Sequence, residues 1–293
     1  MISAVLPLTF VVLWASAFAT GAVVTADASP FAALAFRFFL VALGFCVVAA
    51  IRHEWRGIRW SDAGHGMVSG ALFHGIYLGG CWYAFSVGLP AGITALIVCI
   101  QPILTALFAS AWLGEHNSRR HWVGLGLGFS GAVIVLGGDL GGALVWHGFW
   151  AAVLALVAIT TATLWQKRYA STLPLSSNNA IQAATATVCH LIAVMWLEGD
   201  QWRLEFTASF MWAMAWQVLA VSFGAFTILM FLISKKSASQ TSALFFLVPP
   251  VAALIGFVLL DERLTPGDMV GFALASLGVY LATRHTGRNA RVD

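Results

Sequence analysis

Phe73, His74 and Tyr77, with Gly70 and Cys81, follow i, i+3, i+4 spacing and so share one face of a helix. An imidazole, a phenol and a phenyl ring between small residues could line a cavity for a neutral or zwitterionic organic solute. The same His could instead bond a neighbouring helix and hold a bundle together. Thr94, Gln101 and Thr105 share a second face, and Gln101 directly precedes Pro102. A proline inside a helix removes one backbone bond and bends the chain, which serves either a gating hinge or a static kink. Pro249 and Pro250 repeat the arrangement further along. Trp14 lies mid-run in an apolar stretch, where it could face a solute, and Trp165 is nearer the end of another, where anchoring at a membrane interface is the alternative. Arg37 could attract a carboxylate, but outward snorkelling or a structural pair is the expected state. Asn178, Asn179, Gln182 and His190 form a further polar strip.

Other chemistries are thinly supplied. His53-Glu54 lacks a second His for a metalloprotease pair, and no phosphate-binding Gly-Lys loop occurs, so ATP is not expected to drive this chain. His116 and His121 sit in a basic stretch, where solvated side chains are the default. The four cysteines (Cys46, Cys81, Cys99 and Cys189) lie in apolar runs without metal-ligand spacing. No metal, cofactor or nucleic-acid partner is expected. All twelve Asp and Glu fall in loops or at the ends of apolar runs, so no carboxylate is expected near a membrane midplane.

The elements that carry these side chains must live in lipid. Apolar residues make up 60% of the 293-residue chain and charged residues 9%, with mean hydropathy +0.87. A soluble surface needs roughly 25% charged residues. A membrane helix needs roughly 20 apolar residues, and ten runs satisfy this: about 3–24, 31–51, 65–88, 91–113, 121–138, 147–166, 177–197, 211–233, 240–260 and 267–284. Pro30, Pro90, Pro174 and Pro266 punctuate their starts. The first run has no basic leader and exceeds a signal peptide's apolar core, so it reads as a span. Of the fifteen Lys and Arg, twelve fall on one side of the ten-span arrangement, Arg203 and Arg263 on the other, and Arg37 inside. That asymmetry predicts cytoplasmic N- and C-termini.

A shift of 147 residues places Thr94 on Thr241, Pro102 on Pro249, Glu115 on Glu262, Gly124 on Gly271, Leu127 on Leu274 and Gly131 on Gly278. The chain therefore reads as an all-α integral membrane protein whose ten transmembrane helices form two five-helix repeats, 3–138 and 147–284, with a short basic tail 285–293. An odd number of spans forces the second copy to enter the membrane from the opposite face, giving an inverted repeat, as in many alternating-access transporters.

Gln101-Pro102 through Leu113-Gly114-Glu115 with Gly124 and Gly131, and Val248-Pro249 through Leu260-Asp261-Glu262 with Gly271 and Gly278, resemble the repeat signature of the drug/metabolite transporter superfamily, in its EamA-type branch. Leu13-Trp14-Ala15-Ser16-Ala17-Phe18 resembles the family's first-span motif. Leu34-Ala35-Phe36-Arg37-Phe38 resembles its second-span pattern, with a Phe in one apolar slot. The resemblance implies an inner-membrane exporter of metabolites or drugs. Related small multidrug antiporters use an embedded Glu, which this chain lacks, so a lipophilic-cation antiporter is not expected. Within the family, the aromatic amino-acid exporters are the favoured comparison. The expected substrates are amino acids with aromatic or other apolar side chains, moved by alternating access without coupling. Phe73, His74, Tyr77, Gln101, Trp14 and Trp165 are the expected substrate contacts, and Pro102 and Pro249 the kinks. A proton-coupled exporter of drugs or other metabolites, and a membrane enzyme acting on lipids, are the alternatives. The bilayer and a small solute are the partners; a monomer is compatible with the sequence, which leaves the oligomeric state open.

Overall fold

The computed structural model describes residues 2–89, 91–136, 145–170, 172–259 and 265–283. Expectations attached to Pro90, Asp139, residues 260–263 (Glu262 included) and the tail 285–293 lie outside these residues, as do the repeat ends 138 and 284. The described residues form ten helices. α1 spans Ile2–Asp27 and α2 spans Pro30–Ile51. α3 runs from Trp60 to Ser86 through Trp60–Gly70, Ala71–Leu78 and Gly79–Ser86. α4 joins Ala91–Val98 to Gln101–Leu113, and α5 is Arg119–Leu136. α6, α7 and α8 are Trp146–Ala170, Leu175–Gln201 and Ala208–Lys235. α9 runs through Ala238–Ser242, Ala243–Leu247 and Val248–Leu259, and α10 is Pro266–Thr283.

Seven of these helices (α1, α2, α4, α6, α7, α8 and α9) are long and apolar enough to cross a membrane by length and composition. The other three are diluted by polar or small residues: His65, Ser69 and His74 in α3, Arg119-Arg120-His121 opening α5, Asp268 in the first turn of α10. Which side of each helix faces lipid is visible in the burial. Val12, Leu43, Leu107, Leu154, Val188 and Leu219 are exposed at mid-helix, whereas Ser69, Gln101, Gln166, Gln182 and Gln217 are buried. Apolar side chains meet a solvent as apolar as themselves, and polar ones turn inward to find partners.

The polar strip on α7 finds them. Gln182 Nε2 donates to Gln166 Oε1 and to Asn178 Oδ1, each at 3.1 Å, and Ser69 Oγ donates to Gln166 Oε1 at 2.8 Å. This network stitches α3, α6 and α7 together. A Cβ on Gly70 would stand 2.5 Å from the Gln182 carbonyl oxygen, so the backbones of α3 and α7 touch where the network forms.

Two antiparallel pairs flank the centre. In α5/α10, a Cβ on Gly124 would lie 2.6 Å from Gly278 O, and one on Gly131 would lie 2.5 Å from Gly271 O. The glycines that mark the repeat in sequence therefore face each other across one seam. In α2/α7 the closure is electrostatic and crossed. Glu54, just past the end of α2, accepts from Ser176 N at 2.8 Å and Ser177 N at 3.3 Å at the start of α7. Glu198, at the end of α7, accepts from Phe31 N at 2.7 Å and Ala32 N at 3.2 Å at the start of α2. Each carboxylate satisfies orphan N–H groups and the positive end of the partner's dipole. Glu54→Ala and Glu198→Ala are each expected to cost about 2 kcal/mol. The double variant should cost the sum, because the two sites sit at opposite ends of the pair. Detergent-solubilised thermal unfolding reads this, and a double variant no worse than either single one would contradict it.

The repeated proline positions also match locally. α4 breaks into a turn at Cys99–Ile100 before Gln101-Pro102, and α9 tightens into 3-10 turns over Ala243–Leu247 before Val248-Pro249. Helix α4 ends at Gly114, whose φ of +68° puts it in the left-handed region that glycine occupies without strain. That turn delivers Glu115 to the start of α9, where it accepts from Ala238 N at 2.6 Å, Ser239 N at 3.2 Å and Ser239 Oγ at 2.7 Å.

Candidate functional site

A cavity of about 480 Å³ is walled by α1, α2, α3, α4, α8 and α9. Its size falls within the roughly 300–1,000 Å³ range of small-molecule sites. At one end it reaches Thr25 and Ser86, both exposed, beside the end of α1 and the end of α3. At depth it reaches Trp14, Gln101, Phe245 and Pro249, near the middles of α1, α4 and α9.

Wide helical turns shape the wall. Ala71–Leu78 in α3 and Gln217–Phe226 in α8 are π-helical, with bonds running i to i+5. Such segments re-aim side chains and often occur at functional sites. From the first come Phe73, His74 and Tyr77; from the second come Gln217, Val221, Ser222 and Phe226. The imidazole of His74 packs at an angle against two rings, with centroids 4.5 Å from Phe38 and 4.2 Å from Phe226. No described hydrogen bond involves its ring nitrogens, although its backbone carbonyl accepts from His190 Nε2 at 3.0 Å. His190 is thus the histidine that ties helices together, and His74 is the one that faces the cavity.

The deep end is closed. Gln101 Nε2 lies 2.9 Å from Thr105 Oγ1, 3.1 Å from Ser242 Oγ and 3.4 Å from Thr163 Oγ1, so one amide links α4, α6 and α9. Phe245 packs edge-on against Phe10 and Trp14, whose own rings are tilted to each other, with all three centroid separations 5.3–5.4 Å. Farther along, Lys167 Nζ donates to Ile233 O at 3.0 Å and Lys236 O at 2.7 Å, fastening α6 to the end of α8.

Of the residues singled out in sequence, the structure brings Trp14, Phe73, His74, Tyr77, Gln101 and Pro249 to this cavity. Pro102 is buried next to Gln101 without facing it. Trp165 is placed elsewhere, in a cluster with His65, Trp112 and Tyr169 at the closed end, its centroid 4.6 Å from Tyr169. The expectation for Arg37 needs correcting. It neither snorkels nor forms an ion pair among the described residues: it is buried, lines the cavity and donates from Nε to Ser222 Oγ at 3.1 Å. Helical periodicity could not find Gln217, Val221 and Ser222 because α8 carries few polar residues and Gln217 and Ser222 stand five apart, off the α-helical i, i+3, i+4 spacing. The 147-residue shift could have, since it sets Val221 against His74.

The EamA-like transporter family matches residues 1–137 and again 146–284. The "Uncharacterized transporter YvbV" of Bacillus subtilis is 28% identical over 213 residues, covering 72% of this chain and 67% of that protein. A "Probable terminal-alkyne amino-acid exporter" of Streptantibioticus cattleyicolor is 28% identical over 210 residues, covering 68% of this chain and 66% of its own length. A "Probable amino-acid metabolite efflux pump" of Escherichia coli is 24% identical over 207 residues, covering 68% and 69%. The matched stretches thus span about two-thirds of these relatives. A solved crystal structure superposes with TM-score 0.81 over 95% of both chains at 19% identity, a likeness of fold alone.

Proposed function

The chain belongs to the EamA-like transporter family, and from that membership we propose that it exports amino acids with aromatic or other apolar side chains. It is a multi-pass membrane transporter, and its family and relatives are transporters rather than enzymes. The observation that carries the substrate reading is the cavity: it reaches the middles of α1, α4 and α9, opens at one end beside Thr25 and Ser86, and is lined by Phe73, Tyr77, Trp14 and Phe245, with no carboxylate among its described lining residues. An apolar side chain gains about 25 cal/mol per Å² on entering such walls. A lipophilic cation would find no counter-charge. The two relatives whose names mention amino-acid export support the same direction.

Repeats 3–138 and 147–284, inverted about the cavity, would exchange access by rocking one against the other. The charge asymmetry supports cytoplasmic termini in a bacterial-type inner membrane, and on that orientation the open end would face outward and the Gln101 cluster would form the inner seal. Without a carboxylate in the pathway, transport is expected to run downhill, uncoupled from protons.

Proteoliposomes loaded separately with labelled Phe, Trp, Met and Thr test this. Protein-dependent efflux of at least one is expected, with the same final distribution when a pH gradient is imposed. Silence on all four amino acids removes the substrate assignment, and accumulation driven by the pH gradient removes the uncoupled mechanism.

A further inference from the structure

We infer that Arg37 is the anion subsite of the cavity, holding the carboxylate of an apolar organic acid while the aromatic walls take its side chain; this rests on reading the cavity as the substrate's. Arg37 is 6% exposed, yet it lines the cavity. A guanidinium carries five N–H donors in a planar fork that matches a carboxylate. Among the described residues the fork donates once, through Nε to Ser222 Oγ at 3.1 Å. That bond fixes the plane and leaves the two Nη groups without a protein acceptor.

Among the described residues no acid pairs with Arg37. The described ion pairs all involve other arginines: Arg52–Glu54, Arg59–Asp62 and Arg203–Glu205. The Arg37 guanidinium carbon stands 5.3 Å from the Phe38 ring, and that ring packs against His74 and His190, neither of which supplies negative charge. Buried charge without a partner is costly in a protein interior, and charged groups at membrane depth characteristically face a water-filled cavity or a substrate pathway. A carboxylate arriving from the open end would complete two charge-assisted hydrogen bonds on the Nη side. Phe73 and Phe226 line the same cavity, within reach of the rest of the molecule.

The test uses two probes that differ only at the acid, 3-phenylpropionate and 3-phenylpropionamide, with purified full-length protein in detergent at constant ionic strength. Thermal unfolding of the wild type is expected to shift upward with the acid and not with the amide. In R37Q the acid concentration giving half the maximal shift should rise at least about tenfold, and R37K should fall between, since a point charge replaces the fork. Equal stabilisation by acid and amide in the wild type overturns the assignment, and that comparison stands even if R37Q yields no folded protein. An unchanged acid response in folded R37Q overturns it as well. The amino-acid flux assay separates this from the functional reading. Acid stabilisation through Arg37 with no efflux of any amino acid leaves the subsite and removes the exporter assignment. Undiminished Phe efflux by R37Q leaves the exporter and removes the subsite.

Discussion

Gly278→Val is expected to abolish the folded protein or lower its unfolding temperature more than any other single change considered. A Cβ at that position would lie 2.3 Å from Gly128 N and 2.6 Å from Gly124 O. These are backbone atoms of α5, which cannot turn aside as a side-chain tip can, so α10 must move away along its length. Overpacking a rigid interior costs roughly 1–3 kcal/mol when side chains can yield, and more when they cannot. The cost is compounded in lipid, where close packing rather than the hydrophobic effect holds helices together. Gly126→Val on the partner helix α5 is the control, because a Cβ there meets nothing within 4 Å. Size-exclusion profiles and thermal unfolding in detergent should separate the two variants cleanly. A Gly278→Val protein as stable as Gly126→Val would mean that α5 and α10 do not meet along this seam.

His74→Phe is expected to lower amino-acid flux about tenfold or more, the scale of one lost polar contact to substrate, while the protein folds as the wild type does. The imidazole lies between Phe38 and Phe226, so a phenyl ring can keep most of the packing and removes only the two nitrogens. His74→Ala and Tyr77→Ala should lose transport too. His74→Ala also opens a void where a ring was buried, which costs about 3 kcal/mol or more for aromatic truncations. The Phe variant is therefore the informative one. The His190 contact is made to the backbone carbonyl of residue 74 and survives every side-chain change there. Wild-type flux in both His74→Phe and Tyr77→Ala would return these side chains to packing alone.

Both expectations bear on what could be read in advance. The ten apolar runs became ten helices, with ends shifted by a few residues: α3 begins at Trp60 rather than 65, and the run expected at 147–166 continues to Ala170. A turn at 99–100 precedes Pro102 and a 3-10 stretch at Ala243–Leu247 precedes Pro249. The recurrent glycines marked a contact, although the sequence did not say that Gly124 and Gly131 would meet Gly278 and Gly271. The sequence places the glutamates in loops or at run ends without partners, whereas Glu54, Glu198 and Glu115 close helix starts more than a hundred residues away in sequence. Trp14, in the middle of its run, reaches the cavity wall, whereas Trp165, nearer the end of its run, joins an aromatic cluster at the closed end.

Hydrophobicity, charge and periodicity therefore determined the solvent, the number of crossings, the duplication and one face of α3. These are properties of a chain against its medium, and residue type records them directly. Which faces oppose one another was decided only in three dimensions. In lipid the outward and inward surfaces of a helix can be equally apolar, so no pattern along α8 distinguishes the side bearing Ser222 from the side bearing Leu219. Whether Arg37 would reach water, an acid or an empty chamber depended on α8 arriving beside α2, a contact made across 185 residues of sequence.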